Sequence, residues 1–127
     1  MTTTIQVTGL PGSGKTTYIQ KFLKENPNVQ FLDIRDFNGI YRERKFRKAL
    51  RKAKGPIIAE SACGIRGTGY VIRVNTPIET VYRQLQARDG HVDPEYLSLL
   101  GTQMVPAHCT LNSPEHLFGQ LQNLLRS

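Results

Sequence analysis

Residues Gly9-Leu10-Pro11-Gly12-Ser13-Gly14-Lys15-Thr16 follow directly on Thr4–Thr8, a run rich in β-branched side chains, and lead into helical spacing from Lys15 to about Lys24. Strand, glycine-rich turn and helix in that order leave few folds open. Glycines let successive backbone N–H groups converge on one point, and the start of a helix adds its positive dipole end there. The lysine and hydroxyl residue after the last glycine complete a phosphate cradle. Lys15 is expected to reach the β- and γ-phosphates of a nucleoside triphosphate, and the Thr16 hydroxyl to ligate Mg²⁺. The pattern has the Walker A form. It predicts that Gly9, Pro11, Gly12, Ser13, Gly14, Lys15, Thr16 and Thr17 bind ATP, with Thr16 on the metal.

The rest of the chain alternates in the same way. Pro27 ends the first helix, and 29–34 reads as a strand with the polar Arg35-Asp36 at its carboxyl end. In the segment 41–54, Phe46, Ala49, Leu50 and Ala53 fall on one apolar helix face. Gly55-Pro56 breaks that helix, and Pro56-Ile57-Ile58-Ala59 is an apolar run suited to a parallel strand, ending at Glu60. The glycine-rich stretch 61–70 reads as a loop, and 71–74 as a fourth strand. Thr76 is the expected N-cap, with Pro77 at the first position, of a helix running to about Ala87. A helix from Asp93-Pro94 to about Gln103, a short strand near 107–110 and a helix from about Pro114 to Leu125 follow. The expected architecture is α/β: a single domain over 1–127, a P-loop three-layer sandwich around a five-stranded parallel sheet. Ligands in such sheets bind at the carboxyl ends of the strands.

Composition bears on partners. The formal net charge is +7, and 41–54 holds eight Lys/Arg against one Glu, so this segment carries all of it. Charge confined to one element is the pattern of a surface that meets a polyanion, and predicts RNA or DNA contact through Arg44, Arg47 and Arg51. The alternative is a solvated helix face. Residues 1–6 lack a basic segment leading into an apolar one, and no stretch approaches the ~20 apolar residues of a membrane span. A soluble, cytoplasmic chain is therefore expected. Cys63 and Cys109 lack metal-ligand or redox spacing and read as reduced thiols without a chemical role.

The class of triphosphate enzyme is decided at the other strand ends. Asp36-Phe37-Asn38-Gly39 spells the D-x-x-G of GTPases, but no Asn-Lys-x-Asp occurs. Ile57-Ile58-Ala59-Glu60-Ser61 offers one carboxylate where a motor ATPase usually shows an Asp and a catalytic Glu. With its P-loop, Arg35-Asp36, Ile57–Glu60, and Val74-x-x-Pro77-Ile78-Glu79 followed by Arg83 and Arg88, the chain resembles P-loop kinases of the nucleotide-kinase group, and among these the polynucleotide 5′-hydroxyl kinases. That resemblance implies a general base after the second strand, Asp36 first and Asp33 second. It further implies lid arginines at Arg88 and Arg83, and an adenine-packing turn at Asn112-Ser113-Pro114. Arg35 is expected beside the acceptor, and Arg66, in the glycine-rich loop, would hold an acceptor phosphate.

Three activities remain open from sequence. They are transfer of the γ-phosphate to a polynucleotide 5′-hydroxyl, transfer to a nucleoside, nucleotide or other metabolite, and nucleotide-dependent binding of nucleic acid or a partner with little turnover.

Overall fold

The computed structural model describes residues 4–125, so Met1-Thr2-Thr3 and the last two residues of the expected 1–127 domain lie outside the described residues. Five parallel strands, β1 (Thr4–Thr8), β2 (Gln30–Asp33), β3 (Ile57–Glu60), β4 (Tyr70–Val74) and β5 (Cys109–Leu111), form one sheet in the order β2-β3-β1-β4-β5. The strand bearing the glycine-rich turn is thus central, as burial on both faces requires.

Alternation along the strands sorts their side chains between two faces. Ile5, Val7, Ile58, Ile72 and Val74 turn to one side and pack with Ile19 and Phe22 of α1 (Lys15–Glu25) and Leu117 and Leu121 of α5 (Leu117–Leu125). On the other side Ile57 and Ala59 meet Phe46 and Leu50 of α2 (Arg42–Lys52), with Ile65 completing the cluster. The apolar face read from 41–54 is therefore the buried one, and the charges of α2 cover the outside. A third cluster joins Val81 and Leu85 of α3 (Ile78–Asp89) to Leu97 of α4 (Pro94–Gln103), with Leu10 of the glycine-rich turn packed against it.

The connection from β3 to β4 crosses β1 without a helix. Gln6, fully buried in β1, holds it: its Nε2 donates to the carbonyls of Ile65 at 2.8 Å and Thr68 at 2.6 Å, and its Oε1 accepts from Ile65 N–H at 2.7 Å. One buried amide thereby satisfies three backbone groups of a loop that would otherwise be stranded against the sheet. The loop ends at Gly69, where φ is +65° and any Cβ would run into the Thr4 carbonyl.

Several boundaries differ from the sequence reading. β2 stops at Asp33, because the Asp33 carboxylate accepts from Arg35 N–H and folds Ile34–Asp36 into a 3₁₀ turn. Thr76 does not cap α3; its hydroxyl donates to the Ser13 carbonyl at 2.7 Å, and Pro77 takes the cap position. The last strand lies at Cys109–Leu111, and Pro114–His116 form a 3₁₀ turn ahead of α5. No helix among the described residues is long and apolar enough to cross a membrane. Cys63 and Cys109 are free thiols.

Candidate functional site

The glycine-rich turn opens into a cavity of about 700 Å³ at the carboxyl ends of β1, β2 and β3. Its floor is the turn itself, Pro11 to Thr17. One wall carries Asp33, Arg35 and Glu60, and the opposite wall, from the end of α3 to the start of α4, carries Arg88, His91 and Tyr96.

The turn is shaped to receive an anion. Gly14 caps α1 with φ at +89°, open to glycine at no steric cost, and no side chain bonds the N–H groups of the first turn. The first turn of α1 also holds no acidic residue, so its positive end faces the cavity uncompensated. Lys15 is buried, its Nζ donating to the carbonyls of Gly9 at 2.8 Å and Leu10 at 3.3 Å. Burial lowers its pKa to about 8, against the opposing pull of the Glu60 charge.

Facing it is a knot of oxygens and one guanidinium. Thr16 Oγ1 donates to Glu60 Oε2 at 2.6 Å. Asp33 and Glu60 sit opposite each other in the register of β2 and β3. Arg35 reaches across, with Nε 3.1 Å from both Asp33 oxygens and Nη2 2.6 Å from Asp33 Oδ2. Burial alone would raise the Asp33 carboxyl, but the hydrogen bonds and charge of Arg35 outweigh it and hold its pKa below the ordinary value. Glu60 is 3 % exposed and its Oε1 is buried without a hydrogen-bond partner among the described residues. A buried carboxylate with one oxygen accepting from the Thr16 hydroxyl at 2.6 Å and the other orphaned fits a hard cation that brings its own water ligands.

Of the residues singled out in the sequence, the cavity gathers Pro11, Gly12, Ser13, Gly14, Lys15, Thr16, Thr17, Asp33, Arg35 and Arg88. Gly9 lies just beneath, giving its carbonyl to Lys15. Others fall outside. Asp36 is exposed and absent from the lining, because the 3₁₀ turn begun by Asp33 carries it past the strand end. Arg66 is exposed on the crossover, which by Ile65 has already descended along β1. Arg83 is on the solvent side of α3, two residues from the buried Val81 and Leu85.

Asn112 is exposed and outside the lining, although Pro114 of the same turn packs 3.1 Å from where a Gly14 side chain would begin. Arg44, Arg47 and Arg51 also lie outside; Arg44 stacks over Tyr41 at 5.2 Å and Arg47 pairs with Glu43 at 3.1 Å. From α2 only Arg42 lines the cavity.

Sequence reasoning gave no role to Glu60, Arg42, His91 or Tyr96. Glu60 had a signal, the end of a fully apolar strand, which is the position that faces the phosphates. Arg42 was hidden in the charge run, and nothing local marks His91 or Tyr96.

Cradle, flanking carboxylates and central parallel strand together define a P-loop nucleotide-binding protein with the P-loop kinase fold. The chain belongs to the family of the viral superfamily 1 RNA helicase core domain, whose model matches residues 5–68, from β1 through the crossover. Among solved structures it is similar to a sugar kinase from Janibacter, with TM-score 0.72, 16 % identity, and 98 % of this chain and 95 % of that one covered. The shikimate kinase from Acinetobacter baumannii in complex with shikimate aligns with TM-score 0.69 and 21 % identity over 98 % of this chain and 94 % of that one. A gluconokinase from Sinorhizobium meliloti aligns with TM-score 0.58 and 16 % identity, covering 97 % and 89 %. At such identities the likeness is one of fold. No curated protein matches the sequence.

Proposed function

We propose that the chain is an ATP-dependent kinase that transfers the γ-phosphoryl group to a hydroxyl of a small-molecule acceptor. One observation carries this reading: a single cavity of about 700 Å³ holds both the phosphate cradle and the Asp33 carboxylate, with three arginines around it. That volume suits a triphosphate tail and a compact acceptor. The kinship of fold with proteins described as shikimate kinase, sugar kinase and gluconokinase supports it.

The roles follow from position. Backbone N–H groups of Gly12, Gly14 and Lys15 and the Lys15 ammonium would cradle the β- and γ-phosphates, and Thr16 with Glu60 would hold Mg²⁺. When bound, the metal ion neutralises charge on the phosphates. Asp33 replaces Asp36 as the base, since it alone of the two faces the cavity. The acceptor oxygen forms a bond to the γ-phosphorus as the bond to the β-phosphate bridging oxygen breaks. The hydroxyl proton passes to Asp33 and ADP leaves. Arg88 sits on the wall opposite and would steady the charge in transit.

A second reading is favoured by α2 and by the family match. Seven net positive charges on the segment 41–54 beside the cavity, in a chain of a family described as RNA helicase core, suit a polynucleotide as acceptor or as a bound track. Incubation with γ-labelled ATP and a panel of hydroxyl metabolites, nucleosides and 5′-hydroxyl oligonucleotides separates the two. Label on small molecules is the expected result. Label confined to oligonucleotides would replace the first reading with the second, and ADP release stimulated by RNA without any labelled acceptor would indicate a nucleic-acid-dependent ATPase.

A further inference from the structure

Arg35 makes one set of contacts that the proposed transfer does not use. Its Nη2 lies 2.6 Å from Asp33 Oδ2, 3.5 Å from Glu60 Oε2 and 3.4 Å from Thr16 Oγ1. These oxygens come from three separate elements, the end of β2, the end of β3 and the start of α1. One positive nitrogen among two carboxylates and a hydroxyl has the surroundings that a hard divalent cation takes.

We infer that Arg35 is an exchangeable internal cation, holding the metal position while the nucleotide site is empty and displaced from it when metal and triphosphate arrive. The inference rests on the proposed reading that Thr16 and Glu60 receive the metal.

Charge explains why some cation must be there. Asp33 and Glu60 are register partners on adjacent strands, and Glu60 is buried, so two carboxylates would repel across a few ångströms with little water to screen them. Lys15 does not serve, because the Gly9 and Leu10 carbonyls hold its ammonium. Arg35 does, through a planar fork that takes both Asp33 oxygens while Nη2 leans to Glu60.

Exposure explains why it can leave. The Arg35 side chain is 54 % exposed and rises from a three-residue 3₁₀ turn, whereas Glu60 and Thr16 are fixed on β3 and α1. Magnesium keeps several waters and is held by one or two carboxylates together with phosphates. Such a hydrated ion on Glu60 and Thr16 and a guanidinium leaning on the same two side chains cannot coexist, and the departing guanidinium leaves Asp33 free to act as the base. Displaced, Arg35 turns its charge into the cavity that Arg42 also lines, where an anionic group on the acceptor would meet both. Loading of metal and nucleotide would thereby prepare the acceptor side.

The test uses Mn²⁺ and the nucleotide-free chain, read by electron paramagnetic resonance of the free ion. Arg35→Gln is expected to bind Mn²⁺ about ten-fold tighter than the unaltered chain. The gain should disappear when Glu60→Gln is added, and Arg35→Lys, which keeps the charge, should bind as weakly as the unaltered chain. Equal Mn²⁺ affinity with Gln or Arg at 35 would overturn the inference, as would tight binding by Arg35→Lys.

A second measurement needs no variant to fold. The Arg35 Nε–H resonance of the unaltered chain, held by Asp33, should move or broaden into exchange on adding Mg²⁺ and ADP; an unmoved resonance at saturating nucleotide would also reject the exchange. Neither readout requires phosphoryl transfer, so the kinase proposal and this one can fail separately.

Discussion

The Thr16 hydroxyl donates to Glu60 across 2.6 Å, tying the first turn of α1 to the end of β3. It joins the phosphate cradle to the one carboxylate that is buried with an oxygen still free among the described residues. Replacing Glu60 with Gln keeps the shape and removes the charge. Transfer is expected to fall by about 100-fold or more, as loss of an electrostatic group at a phosphoryl site does. Metal-free ADP binding, measured by calorimetry, should change little. Equal loss of both would mean that Glu60 acts on the shape of the cradle.

Asp33 and Asp36 give opposite expectations. Asp33→Asn should reduce transfer by about 10²-fold to 10⁴-fold, the range of general-base removal, with nucleotide affinity retained. Asp36→Asn, at an exposed position outside the cavity, should change the rate by less than about two-fold. Steady-state assays of the two variants side by side decide which carboxylate takes the proton.

Lys15 sets a pH dependence. Its folded pKa, lowered to about 8 by burial, lies below the ordinary value of 10.5. Between these values the unfolded chain binds more protons than the folded one. The cost of burying the charge is thus fully present below pH 8 and is relieved as pH rises through that window, so this group makes stability climb with alkalinity. Nucleotide binding runs the other way, because phosphate needs the ammonium. A fluorescent triphosphate titrated from pH 7 to 9.5 should bind progressively more weakly above pH 8. Lys15→Met should bind weakly throughout and lose that pH profile.

The arginines of α2 separate the two acceptor readings. Arg42→Gln, within the cavity, should raise the acceptor KM with kcat little changed. Neutralising Arg44, Arg47 and Arg51 together should leave a small acceptor's KM unaltered. If the same triple variant instead raises an oligonucleotide's KM and flattens its salt dependence, α2 is a nucleic-acid surface.

Gln6→Leu tests the crossover. The leucine fills the space but strands the Ile65 N–H and the carbonyls of Ile65 and Thr68. A loss of about 3 kcal/mol is expected in urea unfolding, the scale of buried groups left without partners. A smaller loss would show that the loop can turn these groups to water.

The sequence carried the donor side of the site further than the acceptor side, for a physical reason. Gly9 to Thr16 shape the cradle largely through their own backbone, so local sequence marks its form directly. Asp33 and Asp36 differ in placement through a turn that one side-chain hydrogen bond creates, and a three-residue difference in phase is invisible to strand periodicity. Thr76 reads as a helix cap until the Ser13 carbonyl is brought beside it by folding. Arg83 and Arg88 are equally basic in sequence, and only the rotation of α3 turns one to solvent and the other to the cavity. The strand pattern, by contrast, was legible because apolar runs such as Ile57–Ala59 have one use in a sheet covered on both faces.

The crossover has a consequence for how the molecule opens. Gly9 N–H donates to the Ala62 carbonyl, Ser61 N–H to Val7, and Gln6 grips the same loop at Ile65 and Thr68. The first residue of the nucleotide cradle and the segment crossing β1 are thus stitched along one seam. Their amides should exchange with solvent as a single cooperative unit, and a bound nucleotide should slow exchange down the whole seam, well past the residues it touches.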